Sequence, residues 1–265
     1  MKKKTVLDIL DMMEKGEKIT MLTAYDYVMA SILDEAGTDM LLVGDTMGMV
    51  VHGNSTTLPV TLEDSIRHTQ AVARGAKQAM VIGDLPFGTF QVSVEEAIRN
   101  AIQLVKIGKA ESIKLEGGSE RCEAVRGILD AGIPVMGHLG LTPQSIHKFG
   151  GFKVQGRTDE AANVLLEESK QLEEAGIFSL VLEAIPWKVA KKITEVLSIP
   201  TIGIGAGPYC DGQVLVTYDM LGYFDFNAKF VKRYINLKEH VLKAVQEYNQ
   251  EVREGKFPDL TYSYE

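Results

Sequence analysis

Eight short apolar runs recur along the chain, each closed by Gly, Pro or a polar residue: 19–24 (ITMLTA), 39–45 (DMLLVGD), 79–84 (AMVIGD), 111–116 (ESIKLE), 133–138 (IPVMGH), 179–183 (SLVLE), 200–205 (PTIGIG) and 213–218 (QVLVTY). Runs of this length, apolar throughout, read as strands buried on both faces. Helical spacing fills most of the gaps. Ser93 and Glu96 have capping-box spacing ahead of a face made of Ala97, Ile98, Ala101, Ile102 and Val105. Asn236 with Glu239 predicts the start of a last helix striped by Leu237, Val241, Val245, Tyr248 and Val252. A further helix is expected over 5–15. Strands alternating with helices imply a parallel sheet, and eight of them fit a closed (β/α)8 TIM barrel better than an open doubly wound sheet. No linker or low-complexity stretch divides the chain, so residues 1–265 read as one α/β domain with an extra N-terminal helix.

Two gaps are long: 46–63 after strand 2, with Gly48, Gly53, Asn54 and Pro59, and 139–159 after strand 5, with Gly140, Pro143, Gly150, Gly151 and Gly156. In a barrel the loops after strands share the C-terminal face, so these read as lids over an active site. Composition agrees with one large core: 265 residues, 45% hydrophobic and 24% charged. The formal net charge of −8 argues against nucleic acid or another polyphosphate held by charge alone. Cys122 and Cys210 make neither a disulfide framework nor a zinc site. Asp8, Asp11 and Glu14 interrupt any signal-peptide core after Lys2–Lys4, and no run is long enough to span a membrane. A cytoplasmic protein is expected.

The chemistry gathers at the strand ends. Strands 2, 3, 4 and 6 finish at Asp45, Asp84, Glu116 and Glu183; with 36 acids in 265 residues, chance would place about one among eight ends. Three carboxylates converging from neighbouring strands repel unless protonated or neutralised by a cation. All are oxygen donors, which favours a hard ion, Mg²⁺, at Asp45, Asp84 and Glu116. Glu183, across the barrel and followed by Ala184-Ile185-Pro186-Trp187, suits a general base. Lys114 shares a strand face with Glu116 and can offset charge on a substrate oxygen or act as a Schiff-base lysine. His138 can donate to a substrate oxygen. The run Gly203-Ile204-Gly205-Ala206-Gly207 is unspecific, and the basic lid residues His147, Lys148, Lys153 and Arg157 read as a solvated face. Together these residues predict metal-assisted proton removal next to the keto group of a small 2-oxo acid.

VGDTMGMVVHGNSTTLPVTLEDSIRHTQAVARG (43–75), VIGDLPFGTF (81–90), IKLEGG (113–118), IPVMGHLGLTPQS (133–145), PTIGIGAG followed by CDGQVLV (200–216) and DMLG (219–222) resemble the 3-methyl-2-oxobutanoate (ketopantoate) hydroxymethyltransferase family. The resemblance runs from about residue 3 to 258. It implies a barrel of the phosphoenolpyruvate/pyruvate superfamily type. The implied reaction moves a hydroxymethyl group from 5,10-methylenetetrahydrofolate to 3-methyl-2-oxobutanoate through an Mg²⁺-stabilised enolate, giving 2-dehydropantoate for pantothenate and coenzyme A synthesis. It also implies Mg²⁺ at Asp45, Asp84 and Glu116, oxo-acid contacts from Asp45, Thr46, Asp84, Lys114 and His138, Glu183 as proton acceptor, and a homodecamer. Two positions depart from the family pattern: Thr46 replaces the usual Ser, and Tyr218 stands where His commonly precedes Asp-Met-Leu-Gly. A relative acting on a 2-oxo or phospho acid without folate, and a non-enzymatic scaffold, are the alternatives.

Overall fold

The computed structural model describes residues 2–225 and 228–265. Eight parallel strands close into a barrel in sequence order: β1 (Ile19–Thr23), β2 (Met40–Val43), β3 (Met80–Asp84), β4 (Ser112–Lys114), β5 (Val135–Gly140), β6 (Ser179–Glu183), β7 (Thr201–Ile204) and β8 (Gly212–Leu215). Each expected strand is present. The eighth is shorter than expected, because Thr217–Met220 turns into a helix. The helices are α1 (Val6–Glu14), α2 (Tyr27–Glu35), α3 (Met47–Val50), α4 (Leu62–Gly75), α5 (Val94–Lys106), α6 (Cys122–Asp130), α7 (Ile146–Phe149), α8 (Asp159–Ala175), α9 (Trp187–Val196), α10 (Thr217–Met220) and α11 (Leu237–Arg253). Ser93 Oγ accepts the Glu96 N–H at 3.1 Å, so α5 begins where its capping signal places it. The expectation of one domain over 1–265 meets two compact units, Met1–Val216 with all eight strands and Thr217–Glu265.

Two apolar layers explain the barrel's stability. Alternate strand residues point inward, so Ile19, Met21, Met40, Leu42, Met80, Ile82, Met136, Val181, Ile202 and Val214 form one buried cluster. The expected N-terminal helix joins this layer: Ile9 of α1 is fully buried in it, with Val6 and Met12 packed alongside. A second cluster, including Leu104, Ile113, Val125, Val135, Leu172, Leu180 and Ile193, lies between strands and helices. Each fully buried aliphatic side chain contributes about 1.5–3 kcal/mol relative to exposure.

The same alternation builds the polar end. Asp84 follows inward Met80 and Ile82, Lys114 and Glu116 follow inward Ser112, His138 follows Met136, and Glu183 follows Val181. Asp45 breaks the parity, since strict alternation from Met40 and Leu42 would turn it outward. β2 ends at Val43, and Asp45 sits instead in the turn entering α3, where its carbonyl accepts the Gly48 N–H at 2.9 Å. Both long gaps contain short helices. The first holds α3; the second holds a 3₁₀ turn at Pro143–Ser145 followed by α7. His147, Lys148, Lys153 and Arg157 are exposed, as a solvated face requires. Gly207, at φ +85°, ends the glycine run against Trp187, whose Cβ would lie 2.4 Å from any Cβ added there. That glycine answers to packing. In Thr217–Glu265, Asn236 precedes α11 without a side-chain capping bond, and Val241, Val245, Tyr248 and Val252 are exposed. Tyr218 packs its ring 4.9 Å from that of Tyr223.

Candidate active site

The strand register assembles the site. Asp84 pairs with Lys114 across β3 and β4, and Gly140 pairs with Glu183 across β5 and β6. Asp45, Asp84, Lys114, Glu116 and His138 are all buried, while the Glu183 side chain keeps 18% exposure. Lys114 Nζ lies 2.9 Å from Asp84 Oδ1 and 3.7 Å from Glu116 Oε1. The Asp45 N–H donates to Asp84 Oδ2 at 3.2 Å. His138 spans the gap between the two halves: its Nδ1 is 3.4 Å from Glu116 Oε1 and its Nε2 is 3.3 Å from Glu183 Oε2. Glu183, expected to stand apart, thus comes within ion-pair distance of an imidazole that also faces Glu116 and lies 3.4 Å from Lys114 Nζ, although His138 Nε2 makes no hydrogen bond. Thr46 is held by Tyr25, their hydroxyls 2.7 Å apart, so its extra methyl is carried on a fixed side chain.

Burial sets the electrostatics. It pushes Asp45 well above the usual carboxylate range, with repulsion from Asp84 and Glu116 adding to it. Asp84 is raised for the same first reason, which the Lys114 ammonium only partly offsets. Burial would also raise Glu116, but the hydrogen bond to His138 and the charge of Lys114 hold it below its ordinary value. Desolvation disfavours the Lys114 cation, yet Asp84, Glu116 and Asp45 raise it further above its ordinary value. Burial and Lys114 likewise oppose charge on His138, and its carboxylate contacts outweigh them, raising it to about 9.

A folded-state value raised from the ordinary 6.5 stabilises fully below about pH 6.5, and that contribution is lost as pH rises through about 9. His138→Gln is therefore expected to flatten the decline of thermal stability between those pH values. Unfolding curves at stepped pH check this, and a slope identical to that of the parent would count against the flanked-imidazolium account.

The backbone around Glu183 is tightly constrained. Gly140 has φ +96°, and a Cβ there would lie 2.2 Å from the Glu183 carbonyl oxygen, which accepts the Leu141 N–H at 2.8 Å. Ala184, the next residue, has φ +47°, a left-handed conformation that costs a non-glycine residue roughly 1–2 kcal/mol. Gly140→Ala is expected to destabilise by at least about 1–2 kcal/mol and to lower turnover by displacing Glu183. Thermal unfolding alongside kinetics would show both effects together.

Gln144, like Tyr25, is a site residue that sequence reasoning passed over. Its N–H donates to Glu116 Oε2 at 3.0 Å, and its Nε2 donates to Asp45 Oδ2 at 2.9 Å and to the Leu85 carbonyl at 3.0 Å. It lies within the GHLGLTPQS motif, and Pro143 starting a turn directly after β5 was the available signal.

Among the described residues, no three His, Cys, Asp or Glu side chains form a metal cage. The three carboxylates expected as direct ligands differ in how far their oxygens are already engaged. Both Glu116 oxygens are engaged, one by the Gln144 N–H and the other facing Lys114 and His138. Asp45 and Asp84 are different: both are raised by burial, and Asp84 Oδ1 is buried without a hydrogen bond despite its ion contact to Lys114. Two oxygen donors that burial leaves short of compensation fit Mg²⁺, which takes one or two carboxylates and keeps waters that a substrate can displace. A groove of about 430 Å³ on the outer wall, lined by Asp159, Asn163, Lys188 and Lys192, contains none of these residues.

Comparisons with known proteins bear on the fold and the family. Solved barrels superpose at low sequence identity, which speaks for the fold alone. Phosphonopyruvate hydrolase in complex with oxalate and Mg²⁺ matches with TM-score 0.64 and 12% identity, covering 97% of this chain and 90% of that one. 2,3-Dimethylmalate lyase, a PEP mutase/isocitrate lyase superfamily member, matches with TM-score 0.62 and 15% identity, covering 98% and 89%. The 3-methyl-2-oxobutanoate hydroxymethyltransferase of Syntrophus aciditrophicus (strain SB) is 57% identical over 264 residues, 99% of this chain and 97% of that protein. The family model for ketopantoate hydroxymethyltransferase matches residues 3–260, and the chain belongs to that family of transferases.

Proposed function

We propose that the chain transfers a hydroxymethyl group from 5,10-methylenetetrahydrofolate to 3-methyl-2-oxobutanoate, forming 2-dehydropantoate for pantothenate synthesis. The observation that carries the reading is the buried charge chain Asp84–Lys114–Glu116–His138–Glu183 at one end of the barrel, in a member of this family. Asp45 and Asp84 would hold Mg²⁺. That cation would supply Lewis acidity, making the C3–H of a chelated 2-oxo acid easier to remove. Lys114, kept charged by three carboxylates, offsets the negative charge that builds on the substrate oxygens. Glu183 takes the C3 proton. His138, protonated between Glu116 and Glu183, holds that carboxylate in position, and Thr46 lines the oxo-acid pocket with its hydroxyl fixed by Tyr25. C3 then adds to the folate methylene carbon as one of its two C–N bonds opens, and water supplies the hydroxyl oxygen as the second C–N bond breaks. The proton taken from C3 and one proton of that water end on the two folate nitrogens.

No helix among the described residues is long and apolar enough to cross a membrane. The proposal places the protein in the cytoplasm as a homo-oligomer, a decamer by family resemblance. The exposed apolar stripe on α11 supports an association surface. Product formation from the two substrates, with and without tetrahydrofolate, tests the reaction. Folate-dependent 2-dehydropantoate is the expected result. Turnover of a 2-oxo or phospho acid without folate would favour the chemistry of a more distant barrel relative.

A further inference from the structure

We propose that Gln144 is a positioning residue that fixes the Asp45 carboxylate for a divalent cation, through an amide whose orientation Gln91 locks. This rests on the reading of Asp45 and Asp84 as the cation's ligands.

Gln144 is 5% exposed, so its amide has to find its partners inside the protein. Both hydrogens of Nε2 are committed, one to Asp45 Oδ2 at 2.9 Å and one to the Leu85 carbonyl at 3.0 Å. Its Oε1 accepts from Gln91 Nε2 at 3.2 Å. Gln91 is oriented in turn, because its Oε1 accepts the Gly88 N–H at 2.8 Å and the Phe90 N–H at 3.3 Å. A flipped Gln144 amide would set its oxygen against two acceptors and its NH₂ against a donor. The network therefore has one arrangement.

The consequence is geometric. Asp45 lies beyond the end of β2, so strand pairing does not orient its side chain. The Gln144 amide restrains one of its oxygens and leaves Oδ1 as the oxygen that it does not hold. The Gln144 backbone N–H holds Glu116 at the same time. One residue of the second long loop thus connects the ends of β2 and β4 and the residue after β3, and Gln91 extends the link into the β3–α5 loop. Partners that orient a ligand without touching the metal typically change affinity by about 10- to 100-fold when removed.

The test is titration of the full-length chain with Mn²⁺ in the absence of substrate, with free Mn²⁺ read by electron paramagnetic resonance. Gln144→Met, which keeps the volume and removes the donors, is expected to weaken binding by about 10- to 100-fold. Gln91→Met, at a partly buried position, is expected to weaken it less. Adding Gln91→Met to Gln144→Met should cause no further loss, since the bond it removes is already gone. A purely structural role would predict additive losses instead. Wild-type affinity in Gln144→Met overturns the proposal, and so does additivity in the double variant. Should Gln144→Met fail to fold, Gln91→Met decides alone, and unchanged affinity there overturns it. Asp84→Asn separates the two levels of the claim. If the wild-type chain shows no Mn²⁺ binding that Asp84→Asn abolishes, the cation reading itself fails. If it does, and Gln144→Met binds normally, only the role of Gln144 is lost.

Discussion

Replacing Glu183 with Gln is expected to lower turnover by about 10²- to 10⁴-fold, the usual worth of a positioned general base, while divalent-cation binding stays unchanged. The amide keeps the shape of the side chain at the end of β6 but cannot accept the C3 proton. Nothing in the geometry gives Glu183 a share in holding the cation: its described polar contact in the site is His138, at 3.3 Å. Asp84→Ala should do the reverse at the binding step, abolishing cation uptake because it removes one of the two proposed ligands. Kinetics and a cation titration on the same two variants separate the roles. Normal turnover in Glu183→Gln would remove that residue from the base role.

Lys114→Met should have the largest effect on stability. The ammonium is buried among Asp84, Glu116 and Asp45, and its loss strands negative charge in a site that cannot hydrate it. Breaking a buried ion pair from one side costs about 3–5 kcal/mol. At roughly 2–4 °C per kcal/mol for a domain of about this size, the cation-free variant should melt about 10 °C lower. The pH dependence has a fixed sign. Asp45 and Asp84 are already raised above their ordinary values, and removing the cation raises them more. A raised acid binds more protons folded than unfolded, so the variant gains stability as pH falls and its deficit widens toward alkaline pH. Thermal unfolding across pH measures this directly. A uniform deficit at every pH would point to packing rather than charge.

The strands could be read from sequence because a barrel buries both faces of every strand, which leaves continuous apolar runs closed by turn residues. Asp84, Lys114, Glu116, His138 and Glu183 were visible for the related reason that period-two alternation carries an inward face straight on to the polar end. Asp45 obeys a different rule. It was found as a strand terminus, although the strand stops two residues earlier and a turn places it. The joining of Glu183 to the acids was not readable, because it depends on the side-chain length of His138 and on the pairing of β5 with β6. Gln144 and Tyr25 were missed for the reason loops usually resist such reading: neither carries charge or periodicity, and each acts through the direction in which a turn points it. The partners of Glu116 were unreadable for a similar reason, since sequence shows where an acid stands but not which neighbours face its oxygens.

This end of the barrel is expected to bind a 2-oxo acid and to remove its C3 proton with Glu183. Proton NMR of 3-methyl-2-oxobutanoate in D₂O, with enzyme and Mg²⁺ but no folate, tests it most directly. Loss of the C3–H signal with the wild-type chain, and its persistence with Glu183→Gln, is the expected result. Equal exchange by both proteins, or none by the wild type, would contradict the account.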